Sequence, residues 1–117
     1  MSMEKLIEEI ERLKNIKDWE MNKMKTENFR KEYDGKLAKL GFVIEGYDTN
    51  YVIYERIIRT GDNSYLNNRL TIAFDNTGIS DIELFEERSD YVNGRFIIKS
   101  KHTKHFKSME ELLEEIS

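Results

Sequence analysis

Neither cysteine nor proline occurs anywhere in the 117-residue chain. Without cysteine there can be no disulfide framework, no thiolate metal site and no cysteine nucleophile. A cytoplasmic setting is the natural expectation. Without proline, tight turns must be made by Gly, Asn and Asp, and only six glycines are present. No apolar run approaches the ~18 residues of a membrane span. The start, Met1, Ser2, Met3, Glu4, becomes charged too early for a signal peptide. A membrane partner is therefore not expected. The net charge of −4 argues mildly against nonspecific attraction to phosphates.

What is there is a polar-surfaced chain, 36% charged and 38% apolar, of a length that makes one domain with its own core. Its clearest feature is a hairpin. Residues 69–75 and 79–85 alternate in character around Asn76, Thr77 and Gly78. A three-residue loop with Gly78 left-handed pairs Phe74 with Ser80, Ile72 with Ile82 and Leu70 with Leu84. One face is then oily and the other mostly polar, because side chains alternate with period two.

Upstream, Ser2 suits a helix N-cap, and Leu6, Ile10 and Leu13 recur at helical spacing, with Ile7 and Ile16 beside them. The stripe loses phase at residues 15–18, where Asp18 suits a second cap. A further stripe of Phe29, Tyr33, Leu37 and Leu40 runs to Gly41, a C-cap residue. Two N-terminal helices are expected, with Gly35 a second place where the helix could break. Strands follow at residues 42–47 and 51–59 around Asp48, Thr49 and Asn50, and residues 60–68 read as a long polar loop. Asn93-Gly94 predicts a type I′ hairpin with Tyr91 opposite Phe96, and a change of apolar parity predicts a bulge near residues 86–88. Ser108 and Glu111 form a capping box before Met109, Leu112, Leu113 and Ile116. The expected fold is α+β: an N-terminal helical segment, a four- or five-stranded antiparallel meander with one face under helices, and a short C-terminal helix.

No catalytic constellation assembles. His102 and His105 have no nucleophile and orienting acid to work with, and three-residue spacing on a strand sends their rings to opposite faces. No metal or cofactor is expected, and the glycines are too scattered for a phosphate-cradling loop. The oxygens of Asp62, Asn63, Ser64, Asn67 and Asn68 miss the spacing of a calcium loop and lack its bidentate Glu. Trp19, Met21 and Met24 lie where the first stripe loses phase and suit either core or a partner groove.

Two surfaces invite binding. Tyr47 and Tyr51 flank the first turn, Tyr65 falls in the polar loop, and Asp81, Glu83, Glu87 and Tyr91 lie along one strand. Tyrosines that stay exposed are favoured anchors in protein interfaces. The other surface is the basic run of Arg95, Lys99, Lys101, Lys104 and Lys107, which could lie along phosphates or simply neutralise the acidic strand beside it. The expectation is a small non-enzymatic protein-binding module acting through the acidic, tyrosine-bearing surface. Its character suits an inhibitor, immunity or adaptor protein, including those of phage or other mobile elements. A nucleic-acid-binding protein is one candidate target for such an acidic inhibitor. Nucleic-acid binding by the basic strand is the alternative.

Overall fold

The computed structural model describes the backbone of residues 2–117, and side chains throughout except at residues 14–23. The expected positions of Asp18, Trp19 and Met21 lie outside the described side chains. The protein is an α+β fold in the order α1 (Met3–Lys39), β1 (Val43–Tyr47), β2 (Tyr51–Arg59), β3 (Ser64–Asp75), β4 (Gly78–Val92), β5 (Arg95–Phe106), α2 (Met109–Ile116). The five strands form one antiparallel sheet in sequence order, β1-β2-β3-β4-β5.

The N-terminal segment is helical, as its stripes predict, and its backbone runs as one element where two were expected. Ser2 caps the start by accepting from the Lys5 N–H at 3.3 Å. Gly35 does not interrupt the helix, since a glycine at helical φ costs only about 1 kcal/mol relative to Ala. The end is a Schellman motif. Gly41 takes φ +90°, its N–H donates to Ala38 O, and the Phe42 N–H donates to Leu37 O, each at 3.0 Å.

The organising hairpin keeps the expected Ile72–Ile82 and Leu70–Leu84 pairs but closes differently. Asp75 pairs with Gly78 and Phe74 with Ile79, leaving Asn76 and Thr77 as the turn, and a bulge at Ser80 restores the register. The extra residue absorbs the one-position slip that would otherwise turn the oily face outward. Gly78 stays essential, at φ +132°. The Asn93–Gly94 turn is as expected, with φ +51° and +78° and with Tyr91 opposite Phe96. The bulge falls between Arg88 and Ser89, next to the expected place, with Lys99 as the extra residue of β5.

One expectation fails. Residues 64–68 are not loop: they begin β3, with Ser64 paired to Asp90 of β4 and residues 65–68 paired on both sides with β2 and β4. Polar composition suggested a loop, but two long neighbouring strands offer pairing partners, and sheet context overrides local preference.

The core lies between the sheet and the last turns of α1. Phe29 and Leu37 of α1 meet Val52, Tyr54, Leu70, Ile72, Phe74, Ile82 and Leu84, and Met109 and Leu112 of α2 close the same side. Phe29 packs edge-on to Phe74 with centroids 5.6 Å apart. The buried Tyr54 hydroxyl donates to Asp34 of α1; burial, then this carboxylate, pushes the phenol above its ordinary range. Arg56 marks where the cover ends. Its guanidinium stacks over Phe42, donates to Leu40 O at 3.0 Å and reaches Asn68 Oδ1 at 2.8 Å. Beyond it, the outer ends of β2 to β5 run on with no helix over either face among the described residues, leaving Ile57, Phe96, Ile97 and Ile98 exposed. No helix among the described residues is long and apolar enough to cross a membrane.

Candidate protein-binding face

Register decides which side chains share the face away from the helices. Val52, Ile72 and Ile82 are aligned on the helix side, as are Tyr54, Leu70 and Leu84. The alternate positions therefore face outward. Tyr51, Ala73 and Asp81 form one such row, and Thr71, Glu83 and His105 another. Asn67, Glu87 and Lys101 follow, then Tyr65, Ser89 and Ile98, and last Tyr91 beside Phe96. The open face thus gathers Tyr51, Tyr65, Asp81, Glu83, Glu87 and Tyr91 from the expected set. Tyr47 is not among them. A bulge between Ile44 and Gly46 sets it opposite Val52 on the helix side, where the Arg30 guanidinium sits 4.1 Å from its ring centroid.

The carboxylates of this face are interleaved with cations. Arg69 holds Glu45 at 2.8 Å and Glu55 at 3.2 Å, and the His105 ring nitrogen lies 3.0 Å from Asp81. The hydrogen bond and charge of Asp81, helped by Glu83, hold the imidazole above its ordinary 6.5. Glu83 and Glu87 carry no ion pair among the described residues. Exposed pairs of this sort contribute little stability but shape the field a partner meets.

The outer end of the face is different in kind. Ile57, Tyr65, Asn67, Glu87, Ser89 and Phe96 line a cleft of about 500 Å³. Phe96, 64% exposed, meets Tyr65 edge-on at 5.7 Å and Tyr91 at 5.1 Å between centroids. The amide oxygen of Asn67, a residue of the cleft wall, is buried with no hydrogen-bond partner among the described residues. Leaving such an atom unpaired costs about 1–3 kcal/mol. Sequence reasoning missed Ile57, Asn67, Ser89 and Phe96 as site residues. The pairing of Tyr91 with Phe96 was readable from Asn93-Gly94, but the loop assignment of Tyr65 hid that its ring joins them.

The basic run does not converge. Lys99 is the bulged residue, 3.8 Å from Asp90; Lys104 lies on the helix side, bound to Glu115; Lys101 faces outward beside Glu87. Arg95 follows the turn, and Lys107 lies beyond the strand, its N–H donating to Glu111. His102 and His105 alternate across β5, opposite Glu86 and Glu83 respectively.

Comparison of the chain with protein-family models, with curated proteins and with solved structures found no match. The fold defines a class by architecture: a five-stranded meander with helices on one face and an open, aromatic-ended face on the other.

Proposed function

We propose that this chain is a non-enzymatic protein-binding module that seats its partner on the open sheet face. The outer cleft provides the anchor and the acids of β4 provide orientation. The observation that carries this reading is the cluster of Tyr65, Tyr91 and Phe96 around a cleft with an unpaired amide oxygen. Aromatic residues around a concave centre, ringed by charge, are the usual composition of an interface hot spot. An inhibitor, immunity or adaptor role fits such a surface, and the partner can itself be a nucleic-acid-binding protein. The cytoplasmic setting expected from the cysteine-free sequence belongs to the same proposal.

The test is partner capture from the source cell, followed by kinetics with single variants. Tyr65→Ala or Phe96→Ala should raise the dissociation rate by roughly 30-fold, the rate equivalent of about 2 kcal/mol at a hot spot. Glu83→Lys with Glu87→Lys should instead slow association at low salt. Unchanged kinetics in all of these, or substrate turnover by the purified protein, would overturn the reading. Affinity for DNA or RNA at ~100 mM salt, lost when Lys99, Lys101 and Lys104 become Ala, would favour the basic strand instead.

A further inference from the structure

Several aromatic rings of this fold carry a cation of the same chain. Arg30 lies over Tyr47 at 4.1 Å, Arg56 over Phe42 at 4.4 Å and Lys36 over Tyr33 at 5.2 Å from the ring centroids. The rings of the outer cleft differ. Among the described residues no cation sits over Tyr65, Tyr91 or Phe96, although two basic residues start beside them. Arg59 is opposite Tyr65 in the register, but its guanidinium turns to Gly61 O at 3.0 Å and Asp62 O at 2.8 Å. Lys101 is opposite Glu87 and forms no ion pair with it.

The cleft has the chemistry that a cation would seek. Tyr65 and Phe96 stand at 70° to each other, so the two rings form a corner and not a stack. Glu87, half-buried, is the one charged residue in the lining. Ring faces and a carboxylate attract the same group, a cation on an apolar stem, and both repel a phosphate. A guanidinium suits the pair better than an ammonium does. It is flat and weakly hydrated, so it lies on a ring while its N–H fork reaches a carboxylate through two hydrogen bonds. The cleft, at about 500 Å³, has room for the whole of a long side chain. We infer that the outer cleft seats an arginine side chain of the protein partner, between the Tyr65–Phe96 corner and the Glu87 carboxylate. The inference rests on the docking face proposed above and names the group that docks there.

The test uses the full chain and needs no partner. Acetyl-arginine methylamide is titrated into isotope-labelled protein, beside acetyl-citrulline methylamide, its uncharged isostere, and acetyl-lysine methylamide. A lone side chain is a weak ligand, so saturation by arginine is expected at about 1–30 mM, with shifts centred on Ile57, Tyr65 and Phe96. Citrulline should bind at least about fivefold more weakly, and lysine at least about twofold. Glu87→Gln keeps the shape of the side chain and should weaken arginine at least about fivefold while leaving citrulline unchanged. Phe96→Leu should weaken arginine at least about twofold. No saturable shift at these residues overturns the inference, as does citrulline or lysine binding as well as arginine, or arginine binding indifferent to Glu87→Gln. The two readings fail separately. A captured partner released by Phe96→Ala, from a protein that ignores the arginine probe, keeps the docking face and refutes the arginine seat. A protein that binds the probe as stated, but whose partner is indifferent to Phe96→Ala, keeps the seat and refutes the docking face.

Discussion

The inner and outer halves of the sheet share four strands, β2 to β5, continuous through both, yet they are different materials. In the inner half, Val52, Tyr54, Leu70, Ile72, Ile82 and Leu84 are sealed beneath α1 and α2. In the outer half, Ile57, Ile97, Ile98 and Phe96 stand in solvent on strands just as fully paired. Strand pairing sets the shape in both halves, but only the inner half buries enough apolar surface to supply stability. Burying each such side chain contributes about 1.5–3 kcal/mol before entropy is subtracted. The outer half is held out as a paired but uncovered platform, a suitable place for a docking surface.

The sharpest way to break that comparison is to cut one residue from each half. Leu84→Ala removes a side chain with no exposed area and should lower unfolding free energy by about 2–5 kcal/mol in urea titration. Phe96→Ala should cost under about 1 kcal/mol, although its two ring contacts are lost. Equal losses would show that the outer half carries the fold as much as the inner one.

Two glycines make a smaller contrast within the covered half. Gly78→Val should cost at least about 1 kcal/mol, because φ +132° resists a β-branched side chain. Gly35→Ala should stabilise by about 0.5–1 kcal/mol, because the new Cβ meets nothing within 4 Å on a helical backbone. If Gly78→Val were neutral, the bulged turn would be wrongly placed.

The smallest effect is electrostatic and lies on the open face. His105 titrates above its ordinary 6.5 because Asp81 hydrogen-bonds it and favours the charged ring. A raised folded-state value means that the pair's stability is complete below about pH 6.5 and is lost as pH rises through the raised value. Asp81→Asn should bring the His105 midpoint down in an NMR titration and flatten that pH dependence. An unmoved midpoint would show that the ion pair does not form in solution.

Much of the fold was legible because its signals are local. Ser2, Gly41, Asn93-Gly94 and Ser108 each state their geometry in two to four residues, and the period of two placed Ile72 against Ile82 unaided. The misses share one cause. Ser64 to Asn68 read as loop because nothing in their own composition reports the two strands that flank them. A bulge at Ser80 is equally silent, since it shows only when both arms are fixed. The candidate face was half legible for that reason: Asp81, Glu83, Glu87 and Tyr91 lie on one recognisable strand, whereas the cleft needs Ile57, Tyr65 and Phe96 from three others. Tyr47 was misgrouped because the bulge at Glu45 sets it on the other side of the sheet.

Every strand of the meander lies beside its immediate predecessor in the chain. Such an order lets the sheet assemble by adding one hairpin at a time, each closing a loop of only a few residues, so the search for a partner stays short at every step. The exceptions are the helix contacts, above all Phe29 against Phe74, which must bridge 45 positions. Contact separation alone therefore leads one to expect fast, individually weak hairpin zippering and a slower docking of α1 on the sheet.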